Sequence, residues 1–362
     1  MHIPDGYLGP QTYASAYAVM IALWWRASAK LGKSLRNRQV PILALGAAFS
    51  FVIMMFNVPI PGGTTGHAVG GVLVAILLGP WAAVVAVTLA LVVQALMFGD
   101  GGVTALGANC FNMAVVMPFV GWGVYRLIAS GTAGPGRSVS ARRQVIGAAV
   151  GGYVGLNASA LSTAVMFGIQ PLIAHDAAGR ALYCPFGLKI AIPVMCGEHL
   201  LVFGFVEAIV TGLVVAYLQR VEPALLQGEV VSPKATGRLS PAARIGLVVC
   251  ALVVMSPLGL YLTARFGAGS AWGEWSSREI TRLTGYTPAG LGRLESTWKA
   301  PAPDYTLPGK EKAPLGTKSA IYVVAGVIGA AAVVLLSFGL RMLIWRRKDE
   351  ADPGVDAPVN IN

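Results

Sequence analysis

Apolar residues in this chain gather into long runs divided by short polar stretches. Nine runs can be read, at 9–26, 41–58, 67–79, 81–98, 105–126, 145–168, 186–219, 243–263 and 319–344. Most approach or exceed the roughly 20 apolar residues that a helix needs to cross a bilayer. The pattern predicts an all-α, polytopic membrane protein with a seven-helix core and a C-terminal two-helix hairpin. The run 67–79 is short for a crossing. It is expected to be tilted, half-buried, or one limb of a helix broken at Gly79-Pro80. Residues 221–242 are polar, with Pro, Gly and Ser, and read as a cytoplasmic linker. They separate a transmembrane unit, 1–220, from a two-span unit, 243–346, which carries a small extracytoplasmic domain at 264–318. Residues 347–362 are expected to form a cytoplasmic tail.

Composition supports the membrane reading. Hydrophobic residues make up 55% of the 362 positions and charged residues 12%, against about 25% charged in soluble proteins. The 45 glycines suit close helix packing in lipid. Gly147, Gly151 and Gly155 form a stripe at helical spacing, and Ala44/Ala48 with Gly46/Ser50 form further small faces. These faces serve either internal packing or docking to a partner subunit.

The net charge of +11 is better explained by basic cytoplasmic loops than by nucleic acid. Four basic clusters set the parity: Arg26, Lys30, Lys33, Arg36 and Arg38; Arg126, Arg137, Arg142 and Arg143; Arg220, Lys234, Arg238 and Arg244; Arg341, Arg346, Arg347 and Lys348. With all four cytoplasmic, 67–79 and 81–98 must count as separate crossings. The N-terminus then lies outside, the C-terminus inside, and the loops at 59–66, 99–104 and 169–185 face outward. The four cysteines, Cys110, Cys184, Cys196 and Cys250, are scattered and read as small apolar residues. Trp272, Trp275, Tyr286, Trp298 and Tyr305 of the external domain are expected in a folded cap or an interfacial belt rather than a ligand cage.

The chemistry concentrates at the chain start. The sequence opens MHIPDG. No basic region precedes the first apolar run, so no cleavable leader is expected. Met1 is expected to be retained, because His2 is not a small residue. The Met1 amine, the Met1–His2 peptide nitrogen and the His2 imidazole can close two fused chelate rings on one ion. His67, in the Gly-rich loop PGGTTGHAVGG, offers a fourth nitrogen. Four nitrogens in a plane suit Ni(II), Cu(II) or low-spin Co(II) and do not suit Mg, Ca or Zn. The alternatives are a frayed terminus for His2 and an orienting hydrogen-bond residue for His67. Asp5, Thr64, Thr65, Asp100, Asn109 and Asn112 are candidate partners for the metal-bound imidazoles. Asn109 and Asn112 share a helix face, and helix–helix hydrogen bonding is the alternative for that pair.

Other features are weaker. Glu198, His199 and Glu207 fall within the seventh run. Intramembrane carboxylates are functional candidates, yet these three could equally form a structural polar network and are not taken as ligands. His175 reads as surface. Residues 131–138, GTAGPGRS, approach a phosphate loop. Arg137 replaces the lysine and no soluble α/β strand precedes it, so an ATP site is rejected there.

At these residues the chain resembles a known family. MHIPDGYLG, PGGTTGHAVGG, GDGGVTALGANCFNMA and EHLLVFGFVEAIVT are similar to the substrate-capture (S) components of energy-coupling factor (ECF) transporters for nickel and cobalt, the CbiM/NikM type. Residues 243–344, with SPLGLYL, SAWGEW and PAPDY, are similar to the NikN/CbiN-like accessory component, here fused. The resemblance implies square-planar metal binding by Met1, His2 and His67, with Ni(II) or Co(II) as transported substrate and no organic cofactor. It implies as partners a transmembrane T component and two ATP-binding subunits in the cell (inner) membrane, with membrane lipid around them and no nucleic acid. It also implies that the S component topples on docking and that the accessory part is needed for loading or transport. The fusion leans toward nickel. An intramembrane metalloenzyme is disfavoured, because the chain has four histidines and no HExxH. A gradient-driven permease working alone is the remaining alternative.

Overall fold

The computed structural model describes residues 1–34, 39–130, 140–226 and 240–349. The phosphate-loop look-alike at 131–138, Arg36, Arg38, linker residues 227–239 and the tail from 350 lie outside the described residues.

The described chain is mostly helical. In order come α1 (Pro10–Ser34), α2 (Val40–Met54), the two-residue strands β1 (Val58–Pro59) and β2 (Thr65–Gly66), α3 (Gly71–Leu78) and α4 (Pro80–Val93). Next are α5 (Leu106–Asn109), α6 (Met117–Ser130), α7 (Ala141–Gly168), α8 (Gln170–Ile173), α9 (Leu188–Glu198), α10 (Gly204–Val221) and α11 (Pro223–Leu226). The last are α12 (Pro241–Met255), α13 (Pro257–Phe266), α14 (Ser277–Thr284), α15 (Ala289–Leu294) and α16 (Leu315–Asp349). Wider π-helical turns extend α4 over Gln94–Phe98, join α5 to α6 over Cys110–Val116, and join α9 to α10 over His199–Phe203. Among the described residues, six helical stretches are long and apolar enough to cross a membrane. The protein is an all-α, multi-pass membrane protein.

The third apolar run departs from a simple span. Helix α3 covers eight residues, a rise of about 12 Å against the ~30 Å of a bilayer core. Residues 67–70 ahead of it are not helical but are buried inside the protein, where non-helical backbone at membrane depth is tolerated. Gly79 ends α3 in a non-helical conformation, Pro80 opens α4, and the two helices pack against each other, so the run is a short helix behind a buried non-helical entry. The eighth run also breaks, at Ser256-Pro257.

Helix α7 packs against α6, α9 and α10. Its glycine stripe is spent internally: a Cβ on Gly151 would stand 2.6 Å from the Gly121 carbonyl, and one on Gly155 would stand 2.7 Å from that of Met117. Only bare backbone permits that approach of α7 to α6. Helices α12 and α16 pack on α2, so the C-terminal hairpin is fastened to the core. The segment between them folds as a cap over the end of the core that holds the chain start, and its Trp272 and Trp275 pack against Phe186.

Candidate metal centre

The chain start is a buried plug. Met1, His2, Ile3, Tyr7 and Leu8 are all buried. Ile3 is clamped through its main chain: its N–H donates to Asn109 Oδ1 at 2.8 Å, and its carbonyl accepts from Asn109 Nδ2 at 3.1 Å. Asn109, buried at the end of α5, thus replaces the strand partner this segment lacks. Gly102 N also donates to the Ile3 carbonyl at 2.8 Å. A Cβ on Gly102 would lie 2.2 Å from Asp5 N, so the loop can pass this close only as glycine. Asp5 turns away from the histidines and accepts from the Val103 and Thr104 amides at 3.2 and 2.7 Å.

His67 follows β2, which pairs with β1 in the register Val58↔Gly66 and Pro59↔Thr65. Its Nδ1 donates to the Ala68 carbonyl at 3.1 Å. That bond leaves Nε2 as the lone-pair nitrogen. Nε2 lies 3.3 Å from His2 Nδ1 across 65 residues of sequence, and the two ring centroids are 5.0 Å apart. His2 Nδ1 also lies 2.9 Å from Asp100 Oδ1. A carboxylate only accepts, so this nitrogen carries the proton. The other ring nitrogen, Nε2, is buried with no partner. The Met1 amine is 3.7 Å from Glu274 Oε1.

Charges in this small volume act strongly on one another. His67, with Nδ1 bonded to the Ala68 carbonyl, offers the lone pair of Nε2 to this volume. Burial alone would raise the Asp100 carboxyl, but the His2 charge and hydrogen bond hold it below its ordinary value. No group of three or more His, Cys, Asp or Glu side chains is arranged to hold a metal among the described residues. A four-nitrogen set here draws on main-chain as well as side-chain nitrogen.

The remaining sequence candidates divide. Thr65 is buried in β2. Thr64 Oγ1 accepts from Trp272 N at 2.8 Å and ties the loop to the cap. Asn112 points away from the chain start and meets α7, with Thr163 Oγ1 at 3.0 Å and Ser162 Oγ at 2.7 Å. It is helix–helix glue, the alternative reading for that pair. His175 is exposed. His199 is buried and donates from Nδ1 to the Met195 carbonyl at 2.7 Å.

Two residues of the cap were not foreseen at the site. Tyr305 Oη donates to Asp100 Oδ2 at 2.6 Å, and Gln94 Nε2 reaches the same hydroxyl at 3.0 Å. Burial and then the Asp100 charge push the Tyr305 phenol well above its ordinary value, so it stays a donor. The second residue is Glu274, beside the Met1 amine. Tyr7 Oη fastens the cap from the core side, donating to the Trp275 carbonyl at 2.7 Å and accepting from its N–H at 3.0 Å. The available signals were SAWGEW and PAPDY, each holding one of these residues within an otherwise aromatic and proline-rich stretch.

Residues 2–225 match the family model described as the cobalt uptake substrate-specific transmembrane region, CbiM. The chain belongs to the CbiM family. Residues 243–346 match the PDGLE domain model. This CbiM-family chain is 46% identical to the fused nickel transport protein NikMN of Rhodobacter capsulatus, over 96% of this chain and 99% of that protein. It is 42% identical to a protein of Lactiplantibacillus plantarum named "Probable fused nickel transport protein LarMN", over 80% of this chain and 84% of that one. A crystal structure described as a truncated transition metal transporter aligns with a TM-score of 0.56 at 55% identity, covering 61% of this chain and 99% of that chain. The family and these relatives are transport proteins, not enzymes. This CbiM-family protein is a membrane component of nickel or cobalt transport.

Proposed function

We propose that the protein captures one transition-metal ion, Ni(II) in preference to Co(II), from the extracytoplasmic side. The Met1 amine, the His2 amide nitrogen, His2 Nδ1 and His67 Nε2 form the donor plane. The observation that carries this reading is the 3.3 Å approach of His67 Nε2 to His2 Nδ1, beside a chain start buried with both. Nδ1 is also the imidazole nitrogen that closes a six-membered ring with the His2 amide. The proton it carries stands where the ion would bind, so loading releases protons. Nickel is favoured by the fused nickel transport relatives and modestly by the affinity order for divalent ions. Co(II) is the alternative cargo.

In this reading residues 1–220 are the S component, 221–242 a cytoplasmic linker, 243–346 the accessory component and 347–362 a tail. The N-terminus and the cap at 264–318 face outward and the C-terminus faces the cytoplasm, as the basic clusters require. A T component and two ATP-binding subunits supply the energy of import.

Ni(II) and Co(II) titration of protein with an authentic N-terminus tests the donor set. One ion per chain is expected, lost in His2→Ala, in His67→Ala and on adding a residue ahead of Met1. Unchanged Ni(II) affinity in the extended protein rules out the chelate. Uptake in cells lacking the ATPase subunits tests the energy source: persistent uptake means a gradient-driven permease.

A further inference from the structure

A buried carboxylate that the capture reading leaves idle is Glu207, in the first turn of α10 and fully buried. Its Oε2 accepts from Val69 N at 2.8 Å and Gly70 N at 3.2 Å. Its Oε1 accepts from Gly70 N at 3.2 Å and Thr211 Oγ1 at 3.1 Å. No cation pairs with it among the described residues. The carboxylate is met by two main-chain N–H groups just ahead of α3, of which that of the cap residue Gly70 is one the helix leaves unpaired. Those N–H groups lie two and three residues after His67.

The same helical rod also closes on the residue before His67. A Cβ on Gly66 would lie 2.6 Å from the Phe203 ring, and Phe203 stands four residues before Glu207. His199, four residues earlier again, meets Phe203 edge-on at 5.3 Å between centroids. From the α2 side, Ser50 Oγ donates to the Val69 carbonyl at 2.6 Å. The peptide at Val69 is thus held from both its N–H and its carbonyl. With His67 Nδ1 bonded to Ala68 O, the ring direction follows from that backbone.

We propose that Glu207 is a positioning residue of the capture site: its carboxylate fixes the backbone behind His67 and thereby the aim of Nε2 at the donor plane. A neutral apolar residue of the same volume would fill the space and leave the Val69 and Gly70 N–H groups unpaired, so packing alone does not explain a carboxylate here. The proposal rests on the reading that His67 is a metal donor. It also links that donor to α10, so an ion that draws on Nε2 pulls on the seventh helical rod through Val69, Gly70 and Glu207.

The test is Ni(II) titration of the purified full chain, with the d–d absorption band of the bound ion as the readout of its donor plane. Glu207→Gln keeps the shape and one acceptor oxygen. It should lower Ni(II) affinity by about 10- to 100-fold, the range for groups that orient metal ligands, and move the band. Thr211→Val removes one bond to the carboxylate and should act in the same direction, by less than about tenfold. Wild-type affinity and an unmoved band in a monodisperse Glu207→Gln protein overturn the proposal, as does a lowered melting temperature with the band unmoved. If Glu207→Gln does not fold, an unmoved band and unchanged affinity in Thr211→Val overturn it. Wild-type binding by His67→Ala instead overturns the capture reading on which it rests.

Discussion

Tyr305 Oη donates to Asp100 Oδ2 at 2.6 Å across 205 residues of sequence. The other oxygen of the same carboxylate holds His2 Nδ1 at 2.9 Å. A residue of the C-terminal cap is therefore one carboxylate away from a candidate ligand at the chain start. Its ring stacks on Phe98 at 4.6 Å between centroids, which keeps it in place whether or not the hydroxyl is present.

Tyr305→Phe should therefore leave the cap docked while removing the shorter of the two hydrogen bonds to Asp100 Oδ2, the other coming from Gln94 Nε2 at 3.3 Å. The expected outcome is a loss of about tenfold in Ni(II) affinity, measured by competition with a chelator of known affinity. Cap docking, followed by protease resistance of residues 264–318, should not change.

The two asparagines should separate cleanly. Asn109→Ala removes the acceptor of the buried Ile3 N–H and one of the two donors to the Ile3 carbonyl, which keeps Gly102 N, at a cost of about 1–3 kcal/mol for the buried N–H left unpaired. Metal binding should weaken along with stability. Asn112→Ala breaks contacts to Thr163 and Ser162. It should lower the melting temperature and leave Ni(II) affinity unchanged, as paired thermal and titration measurements would show.

Gly102→Ala places a methyl group against backbone, 2.2 Å from Asp5 N and 2.6 Å from the Pro4 carbonyl carbon. Neither atom can swing aside as a side chain would. The chain start should be expelled from its seat, with Ni(II) binding abolished and the amine open to acylating reagents. Mass spectrometry of labelled Met1 checks this.

Ni(II) affinity should rise with pH by more than tenfold per unit between about pH 5 and 8, because amine, amide and imidazole protons leave together. Asp100 is not the group that titrates. Its carboxyl lies below its ordinary 3.8, so its contribution to holding His2 is present above that value and is lost only as pH falls beneath it. A single protonation step near pH 6.5 in isothermal titrations at several pH values would contradict this assignment.

Some of this protein was legible in the chain itself. The apolar runs follow from length and composition, because a helix exposed to lipid must be long and apolar to cross it. Gly79-Pro80 marked the end of the third run, and the donors of the proposed Met1–His2 chelate are adjacent atoms of one peptide. Such features are local, and local covalent order is what a sequence states directly. Packing decided the rest. Asn109 and Asn112 are three residues apart with the same chemistry, yet only the tertiary structure sends one to Ile3 and the other to α7. Glu274, Tyr305 and Glu207 reach the site from other helices and from the cap, at sequence separations where spacing carries no geometric information. Their roles depend on which buried N–H, carboxylate or amine each one meets, and a buried polar group finds its partner only when the whole fold has closed around it.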